Sequence, residues 1–296
     1  MRRKSMKPPE IVLRSACNQR CVYCLAAGRR RGQSAAEIEA VLAAGHTQVS
    51  FQGGEPLFSP KLPYWVRRAR EKGIEATVFT NGTLLSDDSV VEPVLSAGAS
   101  CFNVNFPSHL PRLHDYLTGT SGGFRAKVAG IRKLLDSGRA RVVFTFVINK
   151  FNYSSFPRYI EYVADNFPGL FYVNAYFIIN NGAVLKRREL IPAVSECSPY
   201  IRAGLETAAR RGLKVMVDGI PLCHLGGFEE CSADTQRLVL EKHVDMYEKA
   251  KGPVCKKCGL NSICAGLRAD YAKKFGFGEL SPSLANPETV RRRVWQ

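Results

Sequence analysis

The chain has 296 residues, with 42 Lys and Arg against 26 Asp and Glu, a formal net charge of +16, and ten cysteines. That length suffices for one large or two modest cores, and no apolar stretch approaches the ~18 residues of a membrane span, since the richest run, LFYVNAYFII, is strand-like and interrupted by Asn174. The basic opening MRRKSMKPPE leads into no apolar segment, which excludes a signal peptide and makes a cytoplasmic protein the expectation. The cysteines group into a triad near the start and a cluster near the end, a pattern of metal binding in a reducing compartment rather than of disulfides. The positive charge favours anionic partners. It is dispersed over Arg2-Arg3-Lys4, Arg29-Arg30-Arg31, Lys186-Arg187-Arg188 and Arg291-Arg292-Arg293, none interleaved with aromatics, so it reads as a solvated basic surface. Neither nucleic acid nor a membrane is an expected partner.

Taken in chain order, Ile11–Arg14 is the first strand-like run, and Cys17, Cys21 and Cys24 follow it at C-x3-C-x2-C spacing. Iron–sulfur clusters are held by cysteine thiolates and a cubane normally takes four, so three clustered thiols leave one iron open to another ligand. Zinc more often uses C-x2-C pairs joined by a second, distant pair, and no such pair stands close behind Cys24. Ala35–Ala44 is helical; the strand Gln48–Phe51 runs into FQGGEPLF, which carries Gly53, Gly54 and Glu55. The helix Leu62–Lys72 precedes the strand Glu75–Phe79, which ends in TNGT with Thr80 and Asn81. The helix Asp87–Ala97 leads to the strand Cys101–Phe106, whose FNVNF puts Asn103 and Asn105 on one face.

A loop with Gly119, Gly122 and Gly123 opens the helix Gly123–Ser137, which Gly138 ends. The strand Val142–Ile148, the helix Ser155–Asn166 and the strand Phe171–Ile179, with Asn174, complete the alternation. Such a series predicts an α/β fold of six parallel strands joined by right-handed crossovers. In that architecture chemistry collects at the C-terminal strand ends, where the triad, GGEP and TNGT all fall.

Three motifs in this order resemble the radical S-adenosylmethionine (radical SAM) superfamily. The resemblance implies a partial (β/α)6 barrel in which the Cys17, Cys21 and Cys24 cluster chelates SAM through its open iron. Reductive cleavage then yields methionine and a 5′-deoxyadenosyl radical. GGEP, through its backbone and Glu55, would contact the SAM amino group, and Thr80 and Asn81 stand where the family places further SAM contacts. Tyr23 occupies a place where the family often has an aromatic near the adenine, with a core role as the alternative. Asn103 and Asn105 could hydrogen-bond the ribose or carboxylate, and Asn174 has a fainter claim of the same kind. His46, His109, His114, His224 and His243 show no ligand spacing and read as surface or packing residues.

Beyond the sixth strand, NNGAVLKRRELIPAVSECSP reads as a connection, Ile201–Arg211 as an amphipathic helix and LKVMVDG as a strand leading to the second cysteine region. There Cys255, Cys258 and Cys264 form C-x2-C-x5-C, with Cys223 in GIPLC well upstream. Four thiolates would close the shell of a cubane and would equally suit a zinc ribbon. The array is similar to the C-terminal SPASM and twitch auxiliary-cluster domains of radical SAM enzymes. A full SPASM array has another cysteine where this chain has Arg268, and none follows Cys264, which favours the shorter twitch type with one auxiliary [4Fe-4S] cluster. Cys231 competes with Cys223 as the distant ligand, and GIPLC resembles the family's segment. Cys101 and Cys197 read as small buried residues, while Cys197 or Cys231 could also serve as a hydrogen-atom donor.

The resulting expectation is a radical SAM oxidoreductase or maturase, with residues 1–180 as the barrel and 181–296 as the connection and smaller auxiliary-cluster domain. Its cofactors would be the SAM-binding [4Fe-4S] cluster, SAM and the auxiliary cluster, and its partner a low-potential electron donor of ferredoxin or flavodoxin type. Relatives of this kind mostly modify peptides or protein side chains, so a peptide or protein is the expected substrate. A small-molecule cofactor or natural-product synthase is the alternative. Peptide maturases often carry a leader-binding extension of ~80 residues, near the size of a small domain, and with the first cluster already at Cys17 none is expected here. A non-enzymatic, metal-stabilised RNA-binding protein is the reading from another class, and GGEP beside an open cluster argues against it.

Overall fold

The computed structural model describes residues 8–27, 31–241 and 248–295. Of the features singled out above, Arg2-Arg3-Lys4, Arg29, Arg30 and His243 lie outside the described residues. The elements through the fourth strand are β1 (Glu10–Val12), α1 (Ala35–Ala43), β2 (Gln48–Gln52), α2 (Leu62–Glu71), β3 (Glu75–Thr80), α3 (Asp88–Ala97) and β4 (Cys101–Asn105). They are followed by α4 (Pro111–Thr118), α5 (Phe124–Asp136), β5 (Arg141–Ile148), α6 (Phe156–Asn166), β6 (Tyr172–Phe177), α7 (Val194–Arg210) and β7 (Val215–Asp218). The strands lie in chain order in one open seven-stranded sheet, parallel from β1 to β5 and from β6 to β7. The fold is thus α/β, as expected, with one strand more than the six of the sequence reading. LKVMVDG, read as the lead-in to the second cysteine region, pairs with β6, Val173 opposite Val215 and Tyr176 opposite Asp218.

Two compact units divide the chain: one contains the chain up to Thr145 with Asp165–Tyr172, the other Phe146–Ala164 and the chain from Val173 on. In the first unit Val49, Phe51, Val78, Phe102 and Val104 are sealed from solvent along the strands. Beside them Phe106 packs on Phe144 at 5.0 Å and Phe144 meets the edge of Phe167 at 4.9 Å between ring centroids. Such aromatic pairs add roughly 0.5–1.5 kcal/mol each beyond their buried area. The helix α1 begins in a reciprocal capping box: Ser34 Oγ accepts from the Glu37 N–H, and the Glu37 carboxylate accepts from the Ser34 N–H. The short helix α4 was not expected, because PRLHDYLT shows little apolar periodicity; it starts on Pro111 and stops at Gly119, which has φ +63°.

In the second unit α6 and α7 pack closely. Phe146, Phe156 and Tyr159 form an aromatic group, with Phe146 4.5 Å from Tyr159 and 5.0 Å from Phe156. Past β7 come the short helix α8 (Ala233–Gln236), the two-stranded hairpin of β8 (Lys249–Ala250) and β9 (Leu267–Arg268), α9 (Ala269–Phe275) and α10 (Pro287–Arg293). No helix among the described residues is long and apolar enough to cross a membrane.

The contact between α6 and α7 depends on Gly204, where a Cβ would lie 2.2 Å from Phe156 Cδ1. Phe156 is fully buried and cannot swing aside. Gly204→Ala should therefore destabilise the protein by ~1–3 kcal/mol through overpacking, read in a thermal melt as a fall of roughly 2–4 °C per kcal/mol. An unchanged melting temperature would show that the helices can separate without cost.

Candidate active site and metal centres

The first site lies within the first unit, at the C-terminal ends of β1 to β4. The loop carrying Cys17, Cys21 and Cys24 leaves β1 and is fastened along its length by backbone hydrogen bonds. The Gly54 N–H donates to Arg14 O at 3.1 Å and the Glu55 N–H to Ala16 O at 2.9 Å. The Arg20 and Val22 N–H groups donate to Thr118 O and Leu117 O, both at 3.0 Å, at the end of α4. Gly54 is required by proximity, since a Cβ there would lie 2.2 Å from Ala16 O. The glycines of GGEP thus bring the backbone after β2 directly onto the cysteine loop.

Glu55 is completely buried. Its Oε1 accepts from the Leu57 N–H at 3.1 Å and from Thr80 Oγ1 at 2.7 Å, and its Oε2 accepts from the Asn81 N–H at 2.7 Å. Burial pushes the carboxyl upward in pKa, while these donors and the Lys127 field pull it back. Asn81 carries the connection onward: its Nδ2 donates to Asn18 Oδ1 at 2.7 Å and to Cys17 Sγ at 3.5 Å. Its Oδ1 accepts from Thr83, whose Oγ1 in turn accepts from Asn18 Nδ2 at 2.9 Å.

Tyr23 is buried, and its hydroxyl donates to Asn105 Oδ1 at 3.1 Å; Asn105 Nδ2 lies 4.0 Å from Cys21 Sγ. Asn103, also buried, accepts from Thr145 Oγ1 at 2.6 Å. The structure therefore brings Cys17, Cys21, Tyr23, Glu55, Asn81 and Asn105 into one bonded set, while Asn103 is engaged with β5. Asn174 lies in the second unit with a buried Oδ1 that has no partner among the described residues.

Lys127 was hidden in the sequence. On a helix reading FRAKVAGIRKLLD it looks like a lysine of the solvated face, yet it is fully buried. Its Nζ donates to Asn105 O at 3.2 Å and to His114 Nε2 at 2.7 Å. His114, read as a packing residue, is the acceptor that seats it. Burial first, and then the Lys127 field, lower the His114 pKa to about 4, so the ring is neutral near pH 7. The signal that could have exposed Lys127 is the joint occurrence of a lysine and a histidine on the two helices after β4.

All ten cysteines are free thiols. Burial raises the pKa of Cys17, and burial followed by the Cys24 field pushes Cys21 up to about 12. As free thiols they hold their protons, and a bound metal replaces the proton outright. The donor set suits a thiolate-held centre: the Gln19 N–H and Asn81 amide reach Cys17 Sγ, at 3.4 and 3.5 Å. Gln19 Nε2 is a buried donor with no partner among the described residues, facing no acceptor that the protein itself supplies.

The second site lies within the second unit. Cys223, Cys255, Cys258 and Cys264 line one pocket of ≈ 320 Å³, counted out to solvent, together with Lys251 and Asn261. Backbone N–H groups of Ser283 and Gly266 donate to Cys258 Sγ at 3.3 Å and Cys264 Sγ at 3.4 Å, and those of Ser281 and Leu222 serve Cys223 and Cys264. Four thiols around one pocket are a donor set that suits either a four-iron cluster or a zinc ion. Cys231 does not line the pocket; burial pushes it up to about 12. Arg268, where a longer array would have cysteine, is buried and committed to Asp270 at 3.0 Å and the Tyr176 hydroxyl at 3.3 Å. Cys101 and Cys197 are buried, as expected.

Residues 11–163, more than half of the chain, match the radical SAM superfamily, and the protein belongs to that superfamily. Its members use a [4Fe-4S] cluster and SAM. The chain is 30% identical to the Fe-coproporphyrin III synthase of Methanosarcina barkeri over 51% of its own length and 40% of that protein's. To the AdoMet-dependent heme synthase of the same organism it is 23% identical, covering 87% of this chain and 89% of that one. Among solved structures, Streptococcus suis SuiB bound to its precursor peptide SuiA superposes with a TM-score of 0.60 at 19% identity, over 74% of this chain and 50% of SuiB. The chain thus spans half or less of the Fe-coproporphyrin III synthase and of SuiB.

Glu55→Gln would turn an amide N–H toward the Asn81 N–H, leaving two buried donors face to face. The expected cost is ~1–3 kcal/mol, measured by chemical denaturation. A wild-type stability would mean that the loop ends rearrange freely around position 55.

Proposed function

We propose that this protein is a radical SAM enzyme in which Cys17, Cys21 and Cys24 hold a [4Fe-4S] cluster with one open iron. When bound, cluster and SAM supply a 5′-deoxyadenosyl radical able to abstract hydrogen from a substrate. The observation that carries this reading is the bonded set that ties the ends of β2 and β3, through Glu55 and Asn81, to Cys17. Glu55, Gly54 and Asn81 hold the cysteine loop in place. Gly53 and Asn105, both partly exposed, offer backbone and side-chain polar groups for SAM beside the buried Thr80 and Tyr23.

Residues 1–180 carry this machinery, and residues 181–296 the connection and a twitch-like auxiliary centre. Cys223, Cys255, Cys258 and Cys264 around one pocket support a single, fully ligated auxiliary [4Fe-4S] cluster there. Such a cluster would transfer electrons to or from the substrate radical, or support the domain. The reductant is a low-potential donor of ferredoxin or flavodoxin type, and the compartment is the cytoplasm. The substrate is a peptide or protein, a reading supported by the likeness of fold to SuiB, a protein solved with its precursor peptide. A tetrapyrrole or other small molecule is the second reading, favoured by the near full-length match to the heme synthase.

The iron count tests both centres. Anaerobically reconstituted protein should bind about eight irons per chain, four per cubane, and the Cys17→Ala/Cys21→Ala/Cys24→Ala variant about half of that. About four irons together with one zinc in the wild type would make the second site a zinc ribbon. Cys223→Ala should lower the iron content or alter the auxiliary spectrum, while Cys231→Ala should leave both near wild type; the opposite outcome would exchange the ligand assignment. With dithionite and SAM, mass spectrometry should detect 5′-deoxyadenosine from the wild type and from both single variants, and from the triple variant none.

A further inference from the structure

Among the described residues, Lys127 is an ionisable group beside the first site whose placement the bonded loop does not explain. It is fully buried, and its hydrogen bonds go to neutral acceptors, Asn105 O and His114 Nε2. The neutral His114 ring keeps its other nitrogen, Nδ1, 3.2 Å from Asp115 Oδ1, which fixes the proton there and leaves Nε2 free to accept from the ammonium. The cradle is shaped for this side chain. Gly82, in the TNGT turn at φ +79°, lies against the lysine stem, where a Cβ would meet Lys127 Cγ at 3.2 Å and Val104 Cγ1 at 2.8 Å.

Burying an ammonium without a bonded carboxylate is costly unless anions stand near enough to be felt through a low dielectric. The groups whose fields favour its charged form are Cys21, Glu55 and Asp115. Desolvation nevertheless lowers its pKa to about 8, which leaves it mostly charged at neutral pH. Cys21 and Glu55 both belong to the first site, so a cluster held there would place its negative charge within reach of the same ammonium. The same bonds give a mechanical link: Asn105, whose carbonyl Lys127 holds, accepts from Tyr23 and points its amide toward Cys21 Sγ.

We propose that Lys127 is the buried counter-charge of the Cys17/Cys21/Cys24 centre, a positioning residue that raises its reduction potential and makes it reducible by the donor. The inference rests on the reading of the triad as a cluster. Reduction adds one electron, taken from a low-potential donor, and a fixed cation stabilises the more negative product.

The test uses the full chain, reconstituted anaerobically, in redox titrations followed by EPR, with the triad signal identified as the one that changes on adding SAM. Lys127→Met removes the charge and keeps the stem; Lys127→Gln also keeps a donor for Asn105 and His114. Both should shift the triad potential to more negative values, with iron content unchanged and SAM affinity within about twofold of wild type by equilibrium dialysis. Lys127→Arg, which keeps the charge, should restore the potential if it folds. A wild-type potential in iron-loaded Lys127→Gln overturns the proposal. So does a tenfold or greater loss of SAM affinity at unchanged potential, which would make Lys127 a ligand contact. Loss of fold or iron in both neutral variants would make it a structural residue and overturn the proposal equally. A wild type with no SAM-responsive EPR signal would instead sink the cluster reading on which the inference rests.

Discussion

The buried carboxylate of Glu55 is the constraint on which the first site depends. One group gathers the turn after β2, through the Leu57 N–H, and the turn after β3, through Thr80 and Asn81. Each parallel strand would otherwise end in a loop free to choose its own path. A completely buried carboxylate is tolerable only when donors replace water, so the folded chain cannot release any of these contacts without stranding the charge. That requirement fixes Asn81, and Asn81 fixes Asn18 and Cys17. The cysteine loop is therefore positioned by the adjacent strand ends as much as by its own sequence.

The strand and helix alternation, the triad and the two turn motifs were legible because each is a local signal: apolar periodicity, cysteine spacing, glycine before a helix. The meaning of GGEP was only partly legible. Its glycines read as a turn and a ligand-facing backbone, but in the fold Gly54 serves a close approach to Ala16, a contact between segments 38 residues apart in numbering that no local pattern encodes. Lys127 was invisible for the same reason. Its burial follows from Gly82, Val104 and His114, contributed by three other segments. The seventh strand was recognised as a strand but not as part of the sheet, since LKVMVDG says nothing about its neighbour and only pairing with β6 assigns it. The preference for Cys223 over Cys231 came from a resemblance of five residues; in the fold Cys223 lines the pocket with Cys255, Cys258 and Cys264, and Cys231 does not.

Some of the basic side chains stand in surface ion pairs. On the first unit, Arg68 pairs with Glu39 and Glu71, Lys133 with Asp88, Arg139 with Glu92 and Arg141 with Glu75, all on solvent-exposed or half-exposed side chains. Pairs of this kind contribute only ~0–1 kcal/mol each and are screened by salt. They are what a solvated basic surface looks like, and they leave the chemistry to the buried charges.

The two cysteine sets differ in who supplies the hydrogen bonds to sulfur, and this has consequences for how each centre can be tuned. At the second site the donors to Cys223, Cys258 and Cys264 are backbone N–H groups of Leu222, Gly266, Ser281 and Ser283. Side-chain substitution leaves backbone donors in place, so those hydrogen bonds are set by the path of the chain. At the first site Cys17 also accepts from the backbone Gln19 N–H, but Cys17 and Cys21 face side-chain amides as well, Asn81 and Asn105, each held by residues from other strand ends or from α4 and α5. Hydrogen bonds to sulfur and nearby charge are among the levers that set the potential of an iron–sulfur centre. Here those levers include individual side chains, so a single substitution can move the first centre's potential without remaking its loop, and at the second site Lys251, which lines the pocket, is the charged side chain placed to do the same.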